Sequence, residues 1–327
     1  MAKSSTLTNL VDEQEDVTKY TSLGAAQRDR LKENPGFYTR AWRRLRKDKV
    51  AIASMIGLIL IVIFALAAPL IETWTGHPYT STNLRAALVP PGTVVVDPAT
   101  GESTRYWLGA DGAGRDILVR LAYGGRVSLK VATLALIFSV IIGFTVGSVA
   151  GYFGGLLDSA LMRFVDMLMC IPGITLLLII SVMMRPGPTG LAFVIALLGW
   201  TGMSRLIRGE VLSLKRRDYV DAARVLGASD HSIITKHILP NLISLIIVYA
   251  SLSLPSLILY EASLSYLGFG VRMPDPSWGN MLNEARQLFR KSWTFTFIPG
   301  MAILVTALCI NLFGNGLRDA LDPRLKE

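Results

Sequence analysis

The run VAIASMIGLILIVIFALAAPLI, from Val50 to Ile71, contains no charged residue. A helix needs ~20 predominantly apolar residues to cross the hydrocarbon core of a bilayer, so this run decides the class of the fold. Four further windows are comparably apolar: Val131–Ala150, Met167–Met184, Leu242–Tyr260 and Phe295–Phe313. Gly190–Ser204 is shorter, runs straight into Arg205 and Arg208, and reads as a sixth span whose helix continues past the bilayer. The whole chain agrees, with 51% hydrophobic and only 17% charged residues over 327 positions, outside the usual range for a water-soluble domain. The first run begins about fifty residues in, is longer than a signal-peptide core and lacks a small-residue cleavage pattern, so it reads as a retained span.

The net charge of +9 is topological information. Arg40, Arg43, Arg44, Arg46, Lys47 and Lys49 precede the first span, and Arg205, Arg208, Lys215, Arg216, Arg217 and Arg224 follow the fourth. Basic residues beside span ends mark the cytoplasmic side, so six crossings put both termini inside and leave no nucleic-acid surface to infer. Cys170 and Cys309 lie within apolar spans and read as small hydrophobes; His77, His231 and His237 are scattered, without metal-site spacing. No phosphate-binding GxxxxGK[ST] loop, GxGxxG after a strand, HExxH or GxSxG occurs. The chain reads as a non-enzyme whose energy arrives from a partner or a gradient.

The organisation follows. Residues 1–39 form a polar cytoplasmic tail, 40–72 an N-terminal segment and first span, 73–126 an external loop rich in Pro and Gly, and 127–320 a membrane domain of five helices. Residues 321–327 are a second cytoplasmic tail. "FYTRAWRRLRKDK", Phe37 to Lys49, mixes aromatics with bases and is either an interfacial helix or a simple charge anchor.

Between the fourth and fifth spans lies YVDAARVLGASDHSIITKHILPN, Tyr219 to Asn241. Asp218 is a candidate N-cap, and a short helix is expected to end at Gly227 in the C′ position. Ala222, Ala223, Leu226 and Gly227 recur at helical spacing and make one face with little bulk. Asp230 or Ser229 restarts a helix, and Pro240 suits the first turn of the fifth span. Physical chemistry alone leaves two readings equal: a connecting helix packed on its own chain, or a surface that seats in another protein.

"DAARVLGASDHSIITKHILPN" resembles the cytoplasmic EAA loop of ABC-transporter permeases. "LGADGAGRDILVRLAYGGRVSL", "GYFGGLLDSALMRFVD", "EASLSYLGFGV", "PSWGNML" and "GNGLRDALDPRL" extend the resemblance to the dipeptide, oligopeptide and nickel import family, second permease subunit, from about Phe37 to Arg324. The resemblance implies an all-α polytopic membrane protein of six helices, N-in and C-in, with the type I importer permease fold and a coupling helix within 218–237. It implies a bacterial or archaeal cell membrane, a second homologous permease, two ATPase subunits, an external substrate-binding protein, and contact with lipid. ATP and magnesium would be bound by the ATPase subunits and no cofactor by this chain. Peptides are the expected cargo; nickel complexes or oligosaccharides are the alternative, and a self-sufficient secondary transporter the alternative class. The family's residues map to Tyr219, Asp221, Ala222, Ala223, Leu226, Gly227, His237, Pro240 and Asn241 as the ATPase-coupling set. Asp221 stands where the family commonly has Glu, and Ala110 where it often has Thr.

Other polar positions carry weaker expectations. Glu261 either faces the translocation pathway or pairs locally at the interface. Pro172 and Gly173 are expected to kink the third span and expose backbone to the pathway. Arg163 and Asp166, three apart on one helix, are expected to pair. In "GADGAGRD" the residues Asp111, Gly114, Arg115 and Asp116 are expected to shape the external mouth.

Overall fold

The computed structural model describes residues 37–96 and 103–321; the tail before residue 37 and the tail after residue 321 lie outside them. Helix α1 (Phe37–Lys47) is amphipathic, turning Ala41 and Leu45 inward and Trp42 outward. It stops at Asp48, whose carboxylate accepts from the backbone amides of Val50 (2.9 Å) and Ala51 (3.1 Å) and so caps α2 (Lys49–Leu66). A short helix, α3 (Ala68–Thr75), closes on Gly76 at φ +73° and leads to the external segment.

That segment departs from all-helix structure. Strands β1 (Thr93–Val96) and β2 (Ser103–Tyr106) pair antiparallel, with Thr93 opposite Tyr106 and Val96 opposite Ser103; Val94–Val96 are β-branched and favour the extended backbone. The second long helix, α4 (Ile117–Phe153), starts well before the apolar window that announced it. Asp116 caps it through the amides of Leu118 and Val119. Its 37 residues span about 55 Å, more than the ~30 Å of hydrocarbon, so it protrudes from the bilayer.

The third span is broken. Helices α5 (Gly155–Cys170) and α6 (Gly173–Met184) meet at Pro172 with a bend of 87°. α5 starts where Asp158 pairs with Arg208, near the cytoplasmic end of α7 (Pro188–Leu214). α6 finishes beside Gly268–Arg272, just past the end of the fifth span. The pair therefore crosses once and brings five long apolar helices to six spans. A short cytoplasmic helix, α8 (Asp218–Val225), precedes α9 (Asp230–Tyr266). The external helix α10 (Trp278–Ala285) precedes α11 (Trp293–Leu321). Pro240 stands in the first turn of the α-helical stretch Leu239–Tyr266, as expected, and a π-helical stretch over Ile233–Ile238 joins that turn to the restart at Asp230, so that α9 runs on as one span. A proline lacks an N–H and clashes with the preceding turn, and the wider turn accommodates it.

Among the described residues, helices α4 and α7 share the most extensive helix–helix contact. Gly143, Gly147 and Gly151 recur every four residues on one face of α4. A Cβ on Gly147 would lie 2.5 Å from the Ser204 carbonyl oxygen, and one on Gly151 2.9 Å from that of Arg208. Gly199 of α7 repays the approach from the other side, where a Cβ would meet Ser139 Oγ at 2.5 Å. Small residues at this spacing let two backbones touch, which matters most where lipid removes the hydrophobic drive for helix association. Replacing Gly147 by Leu is expected to force the pair apart at a cost of about 1–3 kcal/mol, seen as a lower thermal midpoint in detergent. Gly209→Ala, where a Cβ meets nothing within 4 Å, should leave the midpoint unchanged or raise it.

Candidate functional site

The cytoplasmic site is built on the end of that pair. Lys215, just past α7, donates from Nζ to the carbonyls of Gly151 (3.1 Å) and Tyr152 (2.9 Å). These are carbonyls the end of α4 leaves unpaired, and a cation there also suits the helix dipole. Arg208 binds Asp158 through two contacts of 2.5 and 2.7 Å, which ties α5 to the same corner. Arg205 bonds Asp166, so the expected Arg163–Asp166 pair is replaced by a link between helices. The facing α7 puts a guanidinium closer to Asp166 than its own helix does.

On this corner sits α8. Arg217, not Asp218, is its N-cap, and Asp218 is the first helical residue. The C-terminus closes as a Schellman motif: Ala228 N donates to Ala223 O (3.0 Å) and Gly227 N to Arg224 O (3.0 Å), with Gly227 at φ +82°. Ser229 caps the next helix by accepting from Ser232 N. Val220 is buried in a cluster with Tyr152, Met203, Ile207, Val211, Ile233, Ile238 and Leu242. Ala223, expected on the free face, is buried as well; it lies three residues after Val220 and shares its inward side. Tyr152 donates to Asp230 at 2.6 Å, holding the restart of α9 to α4.

The outward surface carries Tyr219, Asp221, Ala222, Leu226 and Gly227 from the expected set, and Val225, which sequence reasoning missed. Val225 and Leu226 are each 87% exposed. Asp221 pairs with Arg224 at 2.8 Å. Asn241 donates to the His237 carbonyl (2.7 Å) and reaches the Tyr219 hydroxyl (3.4 Å), so the two ends of the segment meet. Pro240 is exposed beside them.

On the external side, "GADGAGRD" is a clamp. Arg115 Nε bonds Asp111 at 2.6 Å and its Nη2 bonds Glu284 of α10. Arg120 bonds Glu284 at 2.8 Å and lies 3.5 Å from Asp111. His77 Nδ1 meets Asp116 at 3.0 Å and stacks on Tyr106. Burial pushes the Glu284 carboxyl up from its usual range, against the pull of Arg120 and Arg115. Gly114, at φ +76°, has no room for a Cβ, which would fall 1.7 Å from the Asn83 carbonyl oxygen. Ala110 is buried with Ala86 and Tyr106.

Glu261 is fully buried in this chain and is paired locally. Its carboxylate accepts from Ser128 Oγ and Ser265 Oγ, both at 2.7 Å. Ser128 Oγ is also 3.3 Å from Trp278 N, and Ser265 Oγ accepts from Val271 N at 3.1 Å. The group is a hub between α4, α9 and α10. Pro172 and Gly173 stand at the 87° break, with Pro172 exposed.

Residues 143–327 match the family of binding-protein-dependent transport system inner membrane components, and residues 36–91 match the N-terminal membrane domain of oligopeptide transport permease C. The chain belongs to this permease family. It is 36% identical over 301 residues to the dipeptide transport system permease protein of Bacillus subtilis, covering 91% of this chain and 90% of that one. It is 38% identical over 293 residues to the oligopeptide transport system permease protein of Haemophilus influenzae, covering 89% and 90%. The glutathione transport system permease protein of Pectobacterium atrosepticum is 36% identical over 286 residues, covering 88% and 91%. Among solved structures, the inward-facing MetNI methionine ABC transporter superposes with a TM-score of 0.51 at 18% identity, over 62% of this chain and 96% of that one, which shows a shared fold. The permease is thus a multi-pass inner-membrane protein of the second-subunit type.

Gly227 is constrained by its own backbone. Nothing lies within 4 Å of a Cβ there, so bulk meets no obstacle in this chain and the cost comes from φ +82°. Asn tolerates that backbone and Val does not. Gly227→Val is expected to destabilise the turn and cut uptake strongly while Gly227→Asn retains most of it, measured as transport in proteoliposomes.

Proposed function

We propose that this permease is one half of the membrane pathway of an ATP-driven, binding-protein-dependent peptide importer, and that α8 is where a cytoplasmic ATPase subunit docks. Peptide cargo follows from the dipeptide, oligopeptide and glutathione permeases to which the chain is similar. A second, homologous permease would cover the apolar side of the broken span, where Leu156, Phe164, Met167, Ile174, Ile179 and Met183 are exposed. Two ATPase subunits would hold ATP and magnesium, and an external binding protein would deliver cargo.

The observation that carries the docking reading is the tip Val225–Leu226. Both side chains stand in the open at the cytoplasmic end of the chain, where exposed adjacent aliphatics have neither lipid nor core to enter. Apolar groups so presented mark a protein contact. Behind the tip, Val220 and Ala223 pack inward, and Lys215 and the Tyr152–Asp230 bond tie the platform to α4, α7 and α9. A push on the tip therefore reaches three spans through buried contacts. Closure of the ATPase pair on ATP would rock those spans between inward-facing and outward-facing states.

Replacing Val225 and Leu226 together by Asp should leave membrane insertion and thermal midpoint unchanged, because neither side chain packs on this chain. Co-purification of the ATPase subunits and peptide uptake should fall about tenfold or more, in line with loss of a central interface anchor. Wild-type levels of both would refute docking at α8.

A further inference from the structure

Helix α6 ends at the external face in a cavity of ≈ 230 Å³ lined by Ser181, Val182, Arg185, Phe269, Gly270 and Arg272, among others. Arg185 closes α6 and Arg272 follows the end of α9, so two guanidiniums from separate elements share one small space. Neither has an acidic partner among the described residues. A single cation at the end of α6 is accounted for by the exposed carbonyls of that helix; a second from another element is not. Two like charges converging without a counter-ion leave room for an anion.

One further observation concerns the same cavity. Ser181 is 2% exposed, and its Oγ has no hydrogen-bond partner, although a buried hydroxyl ordinarily finds one. Arg185 ends α6 in the left-handed backbone of a helix C-cap, at φ +46°, with its amide donating to the Ser181 carbonyl. Val182 and Phe269, both exposed, add an apolar wall next to the charged groups.

The geometry points to a carboxylate-binding subsite at the external mouth, in which Arg185 and Arg272 hold the C-terminal carboxylate of a peptide cargo and the Ser181 hydroxyl donates to it. Guanidinium forks suit a carboxylate's two oxygens, and the wall of Val182 and Phe269 would take the last side chain. The site lies at the end of the broken span, next to the exposed face on which the second permease would close the pathway. This rests on the peptide reading above.

The test uses the complete transporter in nanodiscs, treated with phenylglyoxal, which modifies free guanidiniums, and read by peptide mass spectrometry. Trialanine is expected to slow modification of both Arg185 and Arg272 several-fold, while trialanine amide and acetate do not. Arg85, exposed in the same external segment, should react equally throughout. In Arg185→Gln, trialanine should no longer protect Arg272, since the two side chains share one ligand. Equal protection by acid and amide, protection by acetate as strong as by trialanine, no protection, or protection of Arg272 that persists in Arg185→Gln would each overturn the subsite. Uptake of radiolabelled trialanine by proteoliposomes separates the two readings. Uptake without acid-selective protection removes the subsite alone, and absence of uptake removes the peptide reading and the subsite with it.

Discussion

The contact on which the rest of the structure depends is the backbone approach of α4 and α7. Gly143, Gly147 and Gly151 put no side chain of α4 between the helices, and the Ser204 and Arg208 carbonyls, with the Met203, Ile207 and Val211 side chains of α7, fill that space. With the axes that close, Lys215 falls within reach of the last carbonyls of α4, and Arg208 within reach of Asp158. The orientation of α8 follows from these bonds, because it begins three residues after Lys215 and buries Val220 in the cluster that α4, α7 and α9 share. A longer side chain at any of the three glycines would move α8 without touching it.

The external end is held by different means. There the connection between α4 and α10 is ionic and buried: two arginines, Arg115 and Arg120, share Asp111 and Glu284. Glu261, deeper in the helices, is satisfied by Ser128 and Ser265. Removing one member of such a buried set leaves a charge without a partner, which costs far more than the pair contributes. Between two tied ends, the α5–α6 pair, broken at Pro172, buries only Val165, Leu177 and Ser181 and is apolar along its open side.

How much of this was legible in the sequence varied with the range of the interaction concerned. Five spans follow from length and hydropathy, since a bilayer imposes both, and the break at Pro172 follows from the missing N–H. Gly227 was readable because a helix end needs a positive φ there. The inward turn of Ala223 was not, because a run of small residues looks alike on either side of a short helix; only Val220, three positions earlier and fully buried, shows which side is covered. Asp166–Arg205 and Arg120–Glu284 join residues far apart in the chain, and the nearer candidate Arg163 was the natural but mistaken partner. The glycine stripe of α4 stood in plain view at a spacing of four, and that spacing was the signal that could have found the helix pair. Ala110 and Gly114 owe their identity to backbones brought against them by the fold, which no local pattern reveals.

On this packing α8 moves as one body with α4. Spin labels at Thr145→Cys on α4 and Asp218→Cys at the start of α8, both exposed positions, with Cys170 and Cys309 replaced, report the distance between them by double electron–electron resonance. The complete transporter, nucleotide-free and trapped with ATP, should give one unshifted distance distribution. A distribution that shifts or splits on ATP binding would contradict rigid coupling through the α4–α7 contact.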